Sequence, residues 1–286
     1  MTHSRQRIRD AYEAACRQEI EALKPGNVHA FSDGHGMTAD QFMTSARVSS
    51  GPITDPRLPV GGRILEAVRA TRQAVATNTN LGILLLAGPM TRAAEIPGGT
   101  LRANLETVLN DIDLADTGAV FEAIALASPG GLGSAENDVR QAPRVTLLQA
   151  MKEAAGHDRI ARQYVTGFED VFGLGVEAID AALAHGESGI WPAVFAYMAF
   201  FSGFPDSHVA RKHGEETALR VRDEAVAVNA ALHATTGEAE RLLLLLTFDR
   251  RLKAGRINPG TSADLTVASL FVHGLATTLH NGSDGD

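Results

Sequence analysis

Hydrophobic positions recur along nearly the whole chain at helical spacing, and polar, turn-forming corners interrupt them. In residues 5–23, Ile8, Tyr12, Ala15, Cys16, Ile20 and Leu23 fall on one stripe, the pattern of an amphipathic helix. Residues 39–50 predict a second helix with Thr38 as its N-cap. Residues 62–77 predict a third, with Ile64, Val68 and Val75 on its apolar face. Residues 81–87 are uniformly apolar, which suits a buried strand on composition, but their place behind an amide-rich break predicts a buried helix. Further helices are predicted over 100–110, 112–128, 146–155, 157–171, 174–185, 189–203, 205–213, 215–234, 238–254 and 262–280. No hairpin signal and no useful alternating pattern occurs. The chain therefore reads as all-α, one compact multi-helix domain over residues 1–280 with a polar, frayed tail at 281–286. The glycine-rich stretch 128–133 follows no strand and reads as a helix-connecting loop rather than a phosphate loop.

Composition narrows the function classes. Hydrophobic residues are 44% and aromatics only 5%, which suits closely packed helices better than sheets. A net charge of −8 argues against a nucleic-acid binder, although a local basic cluster can still hold a phosphorylated ligand. Cys16, the one cysteine, excludes an intrachain disulfide and cysteine-based zinc sites. No signal-peptide core precedes the first helix, and the longest apolar runs, such as 242–246, are far too short for a bilayer. The expectation is a cytoplasmic protein with no membrane partner; homo-oligomerisation stays open.

The candidate chemistry sits in four corners. The first is Lys24-Pro25-Gly26-Asn27-Val28-His29, where Pro25 stops a helix and Gly26 permits a sharp turn. The second is Asn78-Thr79-Asn80-Leu81-Gly82, and the third runs from Pro205 through Asp206, Ser207, His208, Arg211 and Lys212 to Gly214. The fourth is Asn258-Pro259-Gly260-Thr261-Ser262-Ala263-Asp264. Local structure alone explains each: a helix stop with solvated polar residues at the first, Asn and Thr caps at the second, an Asp206 cap at the third, and a turn with Thr261 or Ser262 capping the final helix at the fourth. Together they supply carboxylates, amides and cations at helix ends, the groups that a phosphate and Mg²⁺ site needs. Walker, Gly-x-Gly-x-x-Gly, Gly-x-Ser-x-Gly and His-Glu-x-x-His patterns do not occur.

In order and wording, the corners resemble the triphosphoribosyl-dephospho-CoA synthase family. Its Pro-Lys-Pro-Gly-Leu-Val-Asp element is echoed by residues 23–29, and its Asn-Thr-His-Lys-Gly element aligns with residues 78–82. Its Asp-Thr-Asn-Leu element is similar to Asp206-Ser207-His208-Val209, and its Asn-Leu-Ser-Pro-Gly-Gly-Ser-Ala-Asp-Leu element to residues 256–265. The resemblance implies an all-helical enzyme that moves a triphosphoribosyl unit from ATP to a ribose hydroxyl of dephospho-CoA, forming an α-glycosidic bond and releasing adenine. It implies Mg²⁺ on the triphosphate, with Asp206 in metal or general-base work and Asp264 in sugar or metal contact. It further implies Lys24 and Lys212 on phosphates and Asn78, Thr79 and Asn80 around the nucleotide. Gly26, Asn27, His29, Ser207, His208, Asn258 and Ser262 complete the implied binding set. On this reading Asp206 and Asp264 should converge on one pocket with Lys24 and Asn78.

Three positions depart from the family wording: Asn80 and Leu81 replace His and Lys, and His29 replaces Asp. This variation resembles a divergent branch found in methanogens and methylotrophs. It implies an alternative, a phosphoribosyl-type transfer from phosphoribosyl pyrophosphate in one-carbon, methanopterin-like cofactor assembly. A further alternative is a non-catalytic nucleotide-binding protein that retains the fold.

Overall fold

The computed structural model describes residues 4–127 and 142–280, the last three of these as backbone only. The described residues form helices throughout: α1 (Arg5–Glu21), α2 (Ala39–Ile53), α3 (Val60–Val75), α4 (Leu81–Ala94), α5 (Leu101–Asp111), α6 (Leu114–Ala127) and α7 (Leu147–Ala154) in the first half. After these come α8 (Arg159–Thr166), α9 (Val176–Ala184), α10 (Trp191–Gly203), α11 (Ser207–His213), α12 (Glu215–Ala234), α13 (Glu238–Ala254) and α14 (Gly260–His280). Among the described residues there is no strand, as the periodicity predicts. The stretch 128–133 and the tail 281–286 lie outside the described residues.

Local chemistry sets the helix ends. Ser4 caps α1 by accepting from the Arg7 N–H at 3.3 Å. Thr38 and Gln41 close a reciprocal capping box on α2. The helix predicted over 62–77 stops at Val75 because Ala76 turns left-handed, at φ 56°. The helix predicted over 157–171 does not run through: Gly167 and Phe168 both have positive φ, 60° and 59°, and end α8 at Thr166. A π-type turn, Val171–Gly175, then feeds α9.

The uniformly apolar run at 81–87 is helix, and it continues to Ala94 through Pro89. Proline lacks an N–H, so the Leu85 carbonyl one turn earlier loses its helical donor. The Tyr164 hydroxyl replaces it, donating to the Leu85 oxygen at 2.6 Å. The chain's one interior proline in α4 thereby becomes an anchor between α4 and α8.

One continuous hydrophobic cluster runs from Ile8 to Leu275, consistent with a single domain. Helix α14 is its axis, with α1, α4 and α10 packed along it and the Val171–Gly175 turn crossing it. Helices α2 and α3, α7 and α8, and α12 and α13 pack against each other in pairs. Among the described residues no helix is long and apolar enough to cross a membrane. Because α1, α4 and α14 converge, the corners at the end of α1 and at the starts of α4 and α14 arrive at one place.

Candidate active site

The fourth corner, leading into α14, is the hub on which the other three are built. Gly26 turns at φ +85°, and a Cβ there would stand only 2.8 Å from Pro259 Cδ, so the first corner lies flat on the fourth. Asn27 Nδ2 donates to Asn258 Oδ1 at 2.8 Å across that contact. Tyr197 from α10 donates to the Pro25 carbonyl at 2.7 Å, and His35 Nε2 donates to the Gly26 carbonyl at 2.7 Å. The second corner meets the hub even more closely. A Cβ on Gly82 would fall 2.1 Å from Asp264 Oδ2, so only glycine lets the carboxylate lie against the first turn of α4.

The third corner is tied to the hub by Asp206. Its Oδ1 accepts the N–H groups of His208 and Val209 at 2.9 and 3.1 Å, capping α11. Its Oδ2 accepts both the backbone N–H and the hydroxyl of Ser262 at 2.8 Å, fastening α11 to the first turn of α14. Asp206 is fully buried. Burial pushes its carboxyl up from the ordinary range while these donors pull it down. Its acceptor positions are occupied by the fold.

A cavity of about 1080 Å³ opens where the corners meet. Of the residues expected at the site, Asn27, Asn78, Thr79, Asn80, Ser207, His208, Lys212, Asn258 and Asp264 line it. Lys24, Gly26, His29, Asp206 and Ser262 are brought to the same region but lie behind the cavity wall. Convergence is thus partial: Asp264 and Asn78 reach the cavity, whereas Asp206 and Lys24 support it.

The amide corner is held from beneath by hydroxyls. Asn80 Nδ2 donates to Thr71 Oγ1 at 3.2 Å, and Thr79 Oγ1 pairs with Ser45 Oγ at 2.6 Å. Asn78 Oδ1 accepts the Leu81 N–H at 3.1 Å, whereas Asn80, at the N-cap position of α4, makes no side-chain cap bond. Leu81, where the resembled element has lysine, is buried against the cavity.

Two carboxylates dominate the electrostatics. Glu19 lines the cavity, is 3% exposed, and its Oε1 accepts from the Lys24 ammonium. Lys24 also donates to Asn27 Oδ1 at 3.2 Å, which carries the network on to Asn258. Burial raises the Glu19 carboxyl and lowers the Lys24 ammonium, and each partner offsets the other's shift. Asp264 has no hydrogen-bond donor among the described residues, and burial, then Glu19 and Asp206, push its carboxyl well above the usual carboxylate range. His208 beside them is pushed down to about 3, first by burial and then by Lys212 and Arg211.

Periodicity and capping signals miss Glu19, Asp249 and Lys253. Glu19 stands on the apolar stripe of α1, between Cys16 and Leu23, and a carboxylate on such a stripe is the signal that marks it. Asp249 occupies the same kind of position in α13. It accepts from the Gly26 N–H at 2.9 Å, lies 3.3 Å from His29 Nε2 and pairs with Lys253 at 3.2 Å. His29 is buried in this cluster, facing Asp249.

A metal bound here would use the cavity carboxylates. Among the described residues no group of three or more His, Cys, Asp or Glu side chains is spaced to hold an ion. Mg²⁺ commonly takes one or two carboxylates and completes its octahedron with water and substrate phosphates. Asp264, which lacks a donor, and the Glu19 oxygen not used by Lys24 fit that donor set.

Comparison with known proteins identifies the family. No curated protein matches the chain. A solved crystal structure of a "putative triphosphoribosyl-dephospho-CoA synthase" from Archaeoglobus fulgidus is similar, with a TM-score of 0.61 and 26% identity over 80% of this chain and 95% of that one. The sequence profile of ATP:dephospho-CoA triphosphoribosyl transferases matches residues 5–282. That match takes in every corner and all the helices around the cavity, and the chain belongs to the ATP:dephospho-CoA triphosphoribosyl transferase family.

Proposed function

We propose that this transferase moves the triphosphoribosyl unit of ATP onto a ribose hydroxyl of dephospho-CoA and releases adenine. The observation that carries the chemistry is the Glu19–Asp264 carboxylate pair on the wall of one large cavity, with Asp264 lacking a donor. The C1′–N9 bond of the donor breaks with its electron pair leaving on adenine, and the acceptor oxygen bonds C1′. Asp264, the wall carboxylate with no donor among the described residues, takes the acceptor's proton, which ends on adenine. Glu19, paired with Lys24, faces the positive charge that develops on the sugar. Asn78, Thr79 and Asn80 orient the nucleotide, and Lys212 meets its phosphates. A Mg²⁺ bound at this wall would be held by Glu19 with substrate phosphates and would neutralise phosphate charge.

One observation favours a second donor. The apolar Leu81 leaves the start of α4 without the lysine of the resembled element, which suits phosphoribosyl pyrophosphate as donor. Incubation with Mg²⁺, dephospho-CoA and either ATP or phosphoribosyl pyrophosphate separates the two by mass spectrometry. Adenine release from ATP, reduced at least about 100-fold in Asp264→Asn, is the expected result. Absence of adenine, with diphosphate released from phosphoribosyl pyrophosphate, would overturn the ATP reading.

A further inference from the structure

A second, cationic hollow adjoins the main cavity. It encloses about 710 Å³ and is walled by the His35-Gly36 turn, by Lys212 and His213 at the end of α11, by Lys253 in the last turn of α13 and by Arg256 just beyond that helix, with Asp33 its one carboxylate. His35, Gly36 and Lys212 line both spaces, so the two share a wall. Such a gathering of cations stands out in a chain of net charge −8. Like charges held together repel one another unless an anion joins them.

Two of these cations are available to a ligand. Lys212 and Arg256 are exposed, and among the described residues neither side chain has a hydrogen-bond or ion-pair partner. The rest of the hollow is fixed in place. Lys253 is anchored by Asp249 at 3.2 Å and by the Ser32 carbonyl at 2.9 Å. Arg256 adopts a left-handed backbone, φ 56°, and its carbonyl accepts from His213 Nε2 at 3.1 Å, which pins it beside α11. Asp33 Oδ1 is engaged by the Ala39 N–H at 3.1 Å.

We infer that this hollow seats the oligophosphate chain of a substrate whose ribose lies in the main cavity. The inference rests on the transferase reading above and adds to it a phosphate subsite on Lys212, Lys253 and Arg256. A linear chain of phosphates spans separated cations as a single carboxylate cannot, and Lys212 on the shared wall is where the chain would cross. The donor's triphosphate and the acceptor's diphosphate share this chemistry, and the test tells them apart.

Calorimetric titration of the full chain with inorganic tripolyphosphate and with pyrophosphate reads the subsite without catalysis. Wild type should bind tripolyphosphate, more weakly as salt is raised. Arg256→Gln and Lys212→Gln should each weaken binding about ten-fold. Both residues are exposed, so melting temperatures should stay near wild type. In steady-state assays Arg256→Gln should raise KM for ATP alone if the donor's triphosphate sits here, or for dephospho-CoA alone if the acceptor's diphosphate does. Equal tripolyphosphate affinity in wild type and both variants, or no binding to wild type with adenine release intact, overturns the subsite and leaves the transferase reading standing. Binding that responds to Arg256→Gln without any adenine release supports the subsite, and the transferase reading alone falls.

Discussion

Replacing Gly82 by alanine adds one methyl group at the second residue of α4, aimed at Asp264. The new Cβ would stand 2.1 Å from Asp264 Oδ2 and 2.5 Å from its Cγ. The carboxylate must therefore retreat by about 1 Å to reach an ordinary contact. Gly82 itself is helical, so alanine meets no backbone strain there, and helix propensity favours it by up to ~1 kcal/mol. Overpacking costs about 1–3 kcal/mol, leaving a net loss of roughly 0–2 kcal/mol and a melting shift of at most about 8 °C. A catalytic group misplaced by about 1 Å costs on the order of 100-fold in rate. The assay is adenine release from Mg²⁺-ATP with dephospho-CoA, beside a thermal melt. Gly88→Ala is the control, because the nearest atoms to its Cβ would be side-chain carbons of Ile64, at 2.6 Å, and Ile53, at 3.8 Å. By the same reckoning it should cost roughly 0–2 kcal/mol of stability, and it should leave kcat near wild type. If Gly82→Ala keeps kcat within about two-fold of wild type, the placement of Asp264 is not used in the reaction and the assignment fails.

The other predictions concern the supports of the site. Asp206→Ala removes the fully buried clamp between α11 and α14 and should cost about 3–5 kcal/mol in chemical denaturation; a loss below about 1 kcal/mol would show that the clamp is dispensable. Lys24→Met leaves Glu19 buried without its ammonium and should cost about 3–5 kcal/mol, while Lys24→Met combined with Glu19→Gln should recover much of it. Purely additive losses in that double-mutant cycle would contradict the pairing. His208, pushed down to about 3, stays neutral in the folded chain while the unfolded chain takes up a proton near the ordinary histidine value. Its contribution is therefore full above about pH 6.5 and declines as pH falls from there towards 3. Denaturation at pH 7 and pH 5 should show a smaller difference for His208→Gln than for wild type, and an unchanged slope would refute the assignment.

The helices were legible because their signals are local. Stripes at helical spacing, the Thr38 and Asp206 caps and the Pro25 stop act within a few residues of the positions they control. The exceptions have long-range or conformational causes. Pro89 looks like a helix breaker until Tyr164 satisfies the Leu85 carbonyl, and α8 ends because Gly167 and Phe168 adopt positive φ rather than because its pattern fades. The corners were legible too, as polar interruptions that resemble a family wording.

Which carboxylate faces the ligand could not be read in the same way. Asp206 and Asp264 look alike in sequence, both near a helix start, yet Asp206 is consumed by Ser262 and the α11 amides while Asp264 is left without a donor. Glu19 reads as an interruption of an apolar stripe and becomes a cavity wall only because Lys24 folds back beneath it. By itself the sequence determined an all-helical chain, the ends of its helices and the polar corners between them, since periodicity, caps and breakers are short-range. Only the tertiary structure decided that the corners share one hub, that Asp264 rather than Asp206 opens onto the cavity, and that Glu19 joins it. Burial and hydrogen-bond saturation depend on partners that distant parts of the chain supply.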